Sequence, residues 1–288
     1  MKLNYILDIS QNSFWKVNTP NIVAKRLPFF INEYGYFIAN SNYFTEREGL
    51  ANYLLMYTIE GSGYLKYLDE EYTLNPGQAV VIYCANYQYY RTLGETSWSF
   101  KWVHFDGTAA SEYYELLNGD SLSVVNISHM LHFEEMLDKL YSHVQINDLP
   151  SDVRISNILT SILSELIIDK FSPANNEKFQ KYRIEINKAV SYIGENYMKK
   201  ITLNDMMESV YISKYHFSRI FKCYMGVSPY EYLIHFRVNK AKELLKGTQL
   251  TVSEIAASVG FDDVNNFIRK FKEIVGSTPY NYKKYNIR

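Results

Sequence analysis

Two arginines, Arg219 and Arg269, lie 50 residues apart in near-copies of one sequence, HFSRIFKCYMGVSPYEYL and NFIRKFKEIVGSTPYNYK. The repeat extends upstream, so ITLNDMMESVYISK can be laid on LTVSEIAASVGFDD. Thr202, Ser209 and Val210 match Thr251, Ser258 and Val259 at 49 residues, whereas Phe217, Phe221, Gly226 and Pro229 match Phe267, Phe271, Gly276 and Pro279 at 50. One residue inserted in a turn explains the change of offset, because turns accept length differences that helices do not. A guanidinium forks onto guanine O6 and N7, a carboxamide onto adenine, and an ammonium group neutralises phosphate. Arg219 and Arg269, with Asn265, Lys214, Lys222 and Lys272, thus have the chemistry of duplex DNA contact.

Such side chains need helices to present them. Each copy reads as a short capped helix, a tight turn and a second helix, a helix-turn-helix unit, at about 201–225 and 250–275. Thr202 with Asp205, Ser228 with Glu231 and Thr251 with Glu254 have capping-box spacing. Pro229 suits a first helical position, and Ser213 and Asp262 are the expected N-caps of the two second helices. Phe217, Ile220, Phe221 and Tyr224 form the core face of the first of these; Phe267, Phe271 and Ile274 form that of the second. Lys214, Tyr215, Ser218, Arg219 and Lys222 stay outside, as do Asn265, Asn266, Arg269, Lys270 and Lys272. Residues 229–246 read as one connecting helix of roughly 27 Å. With its flanks it approaches one DNA turn, about 34 Å.

The first half has a different texture. YLLMYTIEG, GYLKYL, QAVVIY and WSFKWVHF are β-branched and aromatic runs within about 22–105, separated by turn residues such as Asn75-Pro76-Gly77. Strands at this spacing without intervening helices imply an antiparallel sandwich or barrel. Residues 129–144 and 152–169 then carry helical periodicity. Ile155, Leu159, Ile162 and Leu166 form a 4-3-4 stripe that suits either a helix packed on its own sheet or a dimer seam.

Charge divides along the same line. The net charge of −1 hides 18 Lys and Arg against 10 Asp and Glu in residues 181–288, a balance of +8, and 12 against 21 before them, a balance of −9. Ser172-Pro173-Ala174-Asn175-Asn176-Glu177-Lys178, polar and breaker-rich, sits at the change of sign and reads as a linker. At 47% hydrophobic the chain is not disordered, and its 27 Tyr imply polar-tipped rings in cores, clefts or interfaces. Cys84 and Cys223 suit free thiols in a reducing compartment. With no signal peptide and no apolar run of about 18 residues, a cytoplasmic protein without membrane spans is expected.

AVSYIGENY, the repeated segments and FRVNKAKELLK, in that order and spacing, resemble the AraC/XylS family of transcription regulators over the last hundred residues. The resemblance implies a seven-helix, double helix-turn-helix domain with base-facing Tyr215, Ser218 and Arg219, then Asn265, Ile268 and Arg269. Ile268 stands where the family is often polar. YLLMYTIEGSGYLKY, LNPGQAVVIY and WSFKWVHFDG are similar to the family's cupin domain, in which an effector, often a sugar, binds inside the jelly roll. Arg47, Tyr90 and Trp102 match its sugar-contacting positions, whereas a His common in arabinose-binding members is Phe100 here. The stretch with Phe14 and Trp15 matches a mobile arm that folds over ligand. Read from residue type alone, Trp98 and Trp102 share a strand face and suit a core, Arg47 suits a surface charge, and His104 suits a structural histidine.

The expected fold is α+β and two-domain: an N-terminal cupin or jelly-roll β-barrel with helices at about 128–171, then an all-α double helix-turn-helix. Residues 1–171 form the effector-binding and dimerisation domain, 172–181 the linker and 182–288 the DNA-binding domain. The expected function is a sugar-responsive activator of carbohydrate-use genes, whose partners are double-stranded DNA, a sugar, a second copy and RNA polymerase. The alternatives are a non-sugar effector or none, and a cupin metalloenzyme fused to a helical domain. The last lacks ligands: His104 is the lone histidine of the β-rich segment, and the place for a histidine pair reads Tyr87-Gln88-Tyr89-Tyr90. No cofactor, nucleophile motif or CxxC pair is indicated.

Overall fold

A computed structural model of the chain describes residues 2–144, 146, 148–172, 177–207 and 213–286, with backbone alone for 177–181 and 285–286. Two compact units result, Met1–Glu177 and Lys178–Arg288. The period-two patterning of the first unit folds into two antiparallel sheets. One has the order β1 (Lys2–Ile6), β4 (Phe44–Glu48), β9 (Gln88–Thr92), β6 (Gly63–Tyr67), β7 (Glu70–Leu74). The other runs β11 (Val125–Asn126), β8 (Gln78–Tyr83), β5 (Tyr53–Glu60), β10 (Trp98–Asp106), β3 (Phe30–Ala39), β2 (Phe14–Val17). Helices α1 (Ala110–Asn118), α2 (Met130–Val144) and α3 (Leu149–Lys170) cover the outer face of this second sheet.

Alternation along β10 assigns its residues to two cores. Trp98, Phe100 and Trp102 point between the sheets, among Phe37, Leu54, Met56, Leu65 and Tyr90. Val103 and Phe105 point the other way, into the layer that holds Leu137, Leu140 and Leu159. A bulge breaks this parity once: Val103 pairs with Tyr34 and His104 with Glu33, but Phe105 pairs with Ile31. The extra residue, Asn32, lets Ile31 face the helices while Glu33 stays on the interior side with Phe37. Gly35 on β3 makes room for an indole, since a Cβ there would lie 2.8 Å from the Trp102 ring.

Two expectations change. The β-rich region starts at Lys2, not near residue 22: Leu3 and Tyr5 alternate with Lys2 and Asn4, and β1 adds to the edge at β4. Ile155, Leu159, Ile162 and Leu166 are all buried in the core of their own domain, so the stripe supplies no dimer seam.

The second unit consists of α4 (Glu177–Asn196), α5 (Leu203–Met206), α6 (Lys214–Met225), α7 (Pro229–Gly247), α8 (Val252–Ser258), α9 (Val264–Val275) and α10 (Pro279–Asn286). Thus α4 begins within the stretch read as linker, whose residues 173–176 lie outside the described part, as do Ser209 and Val210 of the first turn. All three capping boxes form. Ser213 caps α6, but α9 is capped by Asp263 instead of Asp262, with its carboxylate accepting from the Asn265 and Asn266 amides. The 50-residue repeat accounts for this, because it sets Asp263 opposite Ser213. Gly247 is the last residue of α7, which Thr248 caps.

Two cores lie on either side of α7. Leu233 packs with Phe217, Phe221 and Ile193, while Ile234, Val238, Ala241 and Leu245 pack with Phe267, Phe271 and Ile255. Buried Arg237 joins them: its Nε donates to the Tyr197 carbonyl at 2.8 Å and Nη2 to the Lys199 carbonyl at 2.7 Å, and its guanidinium lies 5.7 Å from the centre of the Phe261 ring. The Arg237→Ala variant is expected to lose about 2–3 kcal/mol from the helical unit. Far-UV circular dichroism during urea unfolding should register this loss. Tryptophan fluorescence should not, because Trp15, Trp98 and Trp102 all belong to the other unit.

Candidate nucleic-acid interface and effector pocket

The repeat gives α6 and α9 the same scaffold. Phe217 and Phe221, like Phe267 and Phe271, are fully buried, and each helix ends on a left-handed glycine, Gly226 with φ 75° and Gly276 with φ 82°. These constraints turn the opposite face outward. Lys214, Tyr215, Arg219 and Lys222 are exposed on α6, as are Asn265, Arg269 and Lys272 on α9. Tyr215 is 80% exposed, an unusual cost for an aromatic ring with no surface role. Ser218 is half-buried. Ile268 does not join the outward set: it packs against the second core, where an aliphatic side chain gains most.

Between the sheets of the first unit is a cavity of about 210 Å³. Arg47, Tyr90 and Trp102 all line it, together with Glu33, Tyr43, Thr45, Phe100 and His104, which sequence reasoning had not joined to them. Arg47 lies within β4, opposite Gln88, and is no isolated surface charge. Its Nη1 lies 2.8 Å from His104 Nε2, and His104 Nδ1 lies 3.2 Å from Asn52 Oδ1. A guanidinium only donates, so Nε2 is the acceptor and Nδ1 carries the proton to Asn52. Burial, then the charge of Arg47, holds the imidazole well below its ordinary pKa, so it is neutral.

Two donors on residues that line this cavity are buried without a partner, Arg47 Nε and Trp102 Nε1. Leu3, Tyr5, Leu7 and Trp15 supply one wall, and Trp15 Nε1 donates to Glu33 Oε2 at 3.3 Å. The stretch expected as an arm is therefore paired strand, β1 against β4 and β2 against β3. Glu33 is inward by the same parity as Gly35 and Phe37, but Ile31 shares that parity in the sequence and is turned to the helices by the bulge, so alternation along the strand alone did not mark it. His104 could have been found: it shares the parity of Trp98 and Trp102. Cys84, behind His104, has its thiol pushed up to about 12 by burial and is inert.

A family model described as an AraC-like ligand binding domain matches residues 30–159, and one described as a helix-turn-helix domain matches 206–285. The chain belongs to the AraC family of transcription regulators. The lactose operon transcription activator of Staphylococcus xylosus is 27% identical over 76% of this chain and 78% of its own length. The arabinose operon regulatory protein of Escherichia coli K12 is 24% identical over 91% and 89%, and the raffinose operon regulator of Pediococcus pentosaceus 26% over 81% and 85%. As an AraC-family member this protein is a DNA-binding transcription regulator. Among its described residues no helix is long and apolar enough to cross a membrane.

The neutral histidine of this AraC-family chain makes its first unit acid-sensitive. The unfolded state takes up the His104 proton near pH 6.5 while the folded state does not. Stability therefore falls as the pH drops below that value, by up to about 1.4 kcal/mol per pH unit. Urea unfolding followed by tryptophan fluorescence from pH 7 to 5 should record the fall, and the His104→Gln variant should flatten it.

Proposed function

We propose that this regulator responds to a sugar and activates carbohydrate-use genes. The observation that carries the effector reading is the pair of unpartnered buried donors, Arg47 Nε and Trp102 Nε1, on residues that line an aromatic cavity. A buried polar group without a partner costs about 1–3 kcal/mol, a penalty that ligand oxygens would relieve. Hydroxyls of a sugar ring match the donors, and Trp102, Tyr90 and Tyr43 offer faces for its C–H surface. Glu33 adds an acceptor for a hydroxyl proton, so both hydrogen-bonding directions are available. The relatives named for lactose, arabinose and raffinose operons support the same class of effector.

On the DNA side, Arg219 and Arg269 are the proposed base readers and Lys214, Lys222 and Lys272 the phosphate contacts. Tyr215, Ser218 and Asn265 flank them. Sugar binding shifts the population toward the form in which both helix-turn-helix units engage the duplex.

A panel of neutral mono- and disaccharides should contain one that stabilises the fold by about 2.7 kcal/mol at a hundredfold excess over its Kd. Arg47→Ala should abolish that gain; a flat melting profile across the panel rejects a sugar effector. Arg219→Ala is expected to cost about 1–3 kcal/mol of operator affinity and to relax base preference at one position. Binding titrations on single-base operator variants decide this, and an unchanged profile places Arg219 off the bases.

A further inference from the structure

The two reading helices share a scaffold and differ in what surrounds their arginine. On α9, Arg269 Nη1 lies 3.4 Å from Glu273 Oε1, and Arg269 Nη2 donates to Asn266 Oδ1 at 3.0 Å. Lys270 completes the cluster, 2.7 Å from Glu273 Oε2. Both terminal nitrogens of the guanidinium are therefore engaged along the helix. On α6 the 50-residue offset puts His216, Ile220 and Cys223 at the places of Asn266, Lys270 and Glu273. None of these is an anion, α6 contains no acidic residue, and Arg219 has no polar partner among the described residues.

Position decides the consequence. Glu273 is one turn beyond Arg269 on the same outward side of α9, 49% exposed at the side chain, with Lys272 beside it. Phosphate approach to that face meets its carboxylate, and a guanine can take the Arg269 fork only when Glu273 and Asn266 release it. We propose that Glu273 masks Arg269, making α6 the constitutive base reader and α9 a conditional one that engages only where the DNA offers a better partner. Glu273 is thus a specificity-determining residue that acts through Arg269. The inference rests on the reading of Arg219 and Arg269 as DNA contacts. Support of the α9 helix by i,i+3 and i,i+4 pairing is the competing role for Glu273.

The test uses full-length protein and a duplex selected by the unmodified chain from a random pool, titrated at several salt concentrations. Glu273→Gln keeps the side-chain shape and removes the charge. The expected result is roughly threefold tighter binding, with a salt dependence steeper by about one phosphate contact. Arg269→Ala should then cost at least about threefold more affinity in the Glu273→Gln background than alone, because only the unmasked arginine has much to lose. Selection repeated with Glu273→Gln should sharpen base preference in the half of the site read by α9. Installing the mask on α6, as Cys223→Glu, should weaken binding and flatten the salt dependence. Unchanged affinity and slope for Glu273→Gln, or an equal cost of Arg269→Ala in both backgrounds, overturns the mask and leaves helix support. Arg219→Ala and Arg269→Ala without effect in any background would instead remove the underlying DNA reading.

Discussion

Arg237 sits where a charge is least expected, on a helix that is buried on two sides. Its guanidinium is satisfied by carbonyls of Tyr197 and Lys199, just past the end of α4, and lies near the ring of Phe261 in the second turn. One side chain thereby ties two segments to α7, and α7 contributes apolar residues to both helix-turn-helix cores. Duplex DNA presents successive major-groove faces at a fixed spacing, so two helices held by one continuous helix would cost less entropy to dock there than two on a flexible tether. The apolar faces of α6 and α9 orient Arg219 and Arg269; the buried arginine keeps those orientations in register.

The first unit solves a different problem, that of keeping Arg47, Glu33 and His104 in a largely apolar cavity between two sheets. Its charges are few and opposed: Arg47 and Glu33 line the same space, and His104 is held neutral between Arg47 and Asn52. Space for an indole beside the backbone comes from a glycine, and a bulge next to the inward Glu33 turns Ile31 to the helices. Both are local departures from regular strand pattern, located at the site itself, where strand irregularities commonly serve function.

How much of this could be read in the amino-acid order varied with the range of the interaction. Caps, the repeat and the outward arginines depend on neighbours within a turn or two, and the capping boxes at Thr202, Ser228 and Thr251 formed as spaced. Asp262 was preferred to Asp263 as a cap although the repeat itself distinguishes them. Alternation placed Trp98 and Trp102 on one face, yet it could not by itself reveal Glu33, since Ile31 has the same parity and faces the helices through a bulge that exists only in relation to the partner strand. Whether Ile155 to Leu166 met a second copy or its own sheet was likewise undecidable from periodicity. A helical stripe records only that a side is covered, and here α2 and the outer sheet face cover it.

Strand β10 forms the boundary between the cavity and the helical layer, and that boundary is one polypeptide thick. Trp102 faces the cavity; Lys101, adjacent in the chain, holds Asp138 of α2 at 2.5 Å. The Tyr141 hydroxyl, also on α2, lies 3.3 Å from the Trp102 carbonyl and 3.1 Å from that of Gly35. The indole and the Tyr141 hydroxyl of α2 are therefore separated by a single peptide plane. In mechanical terms β10 is a diaphragm, with the cavity against its inner surface and α2 fastened to its outer one.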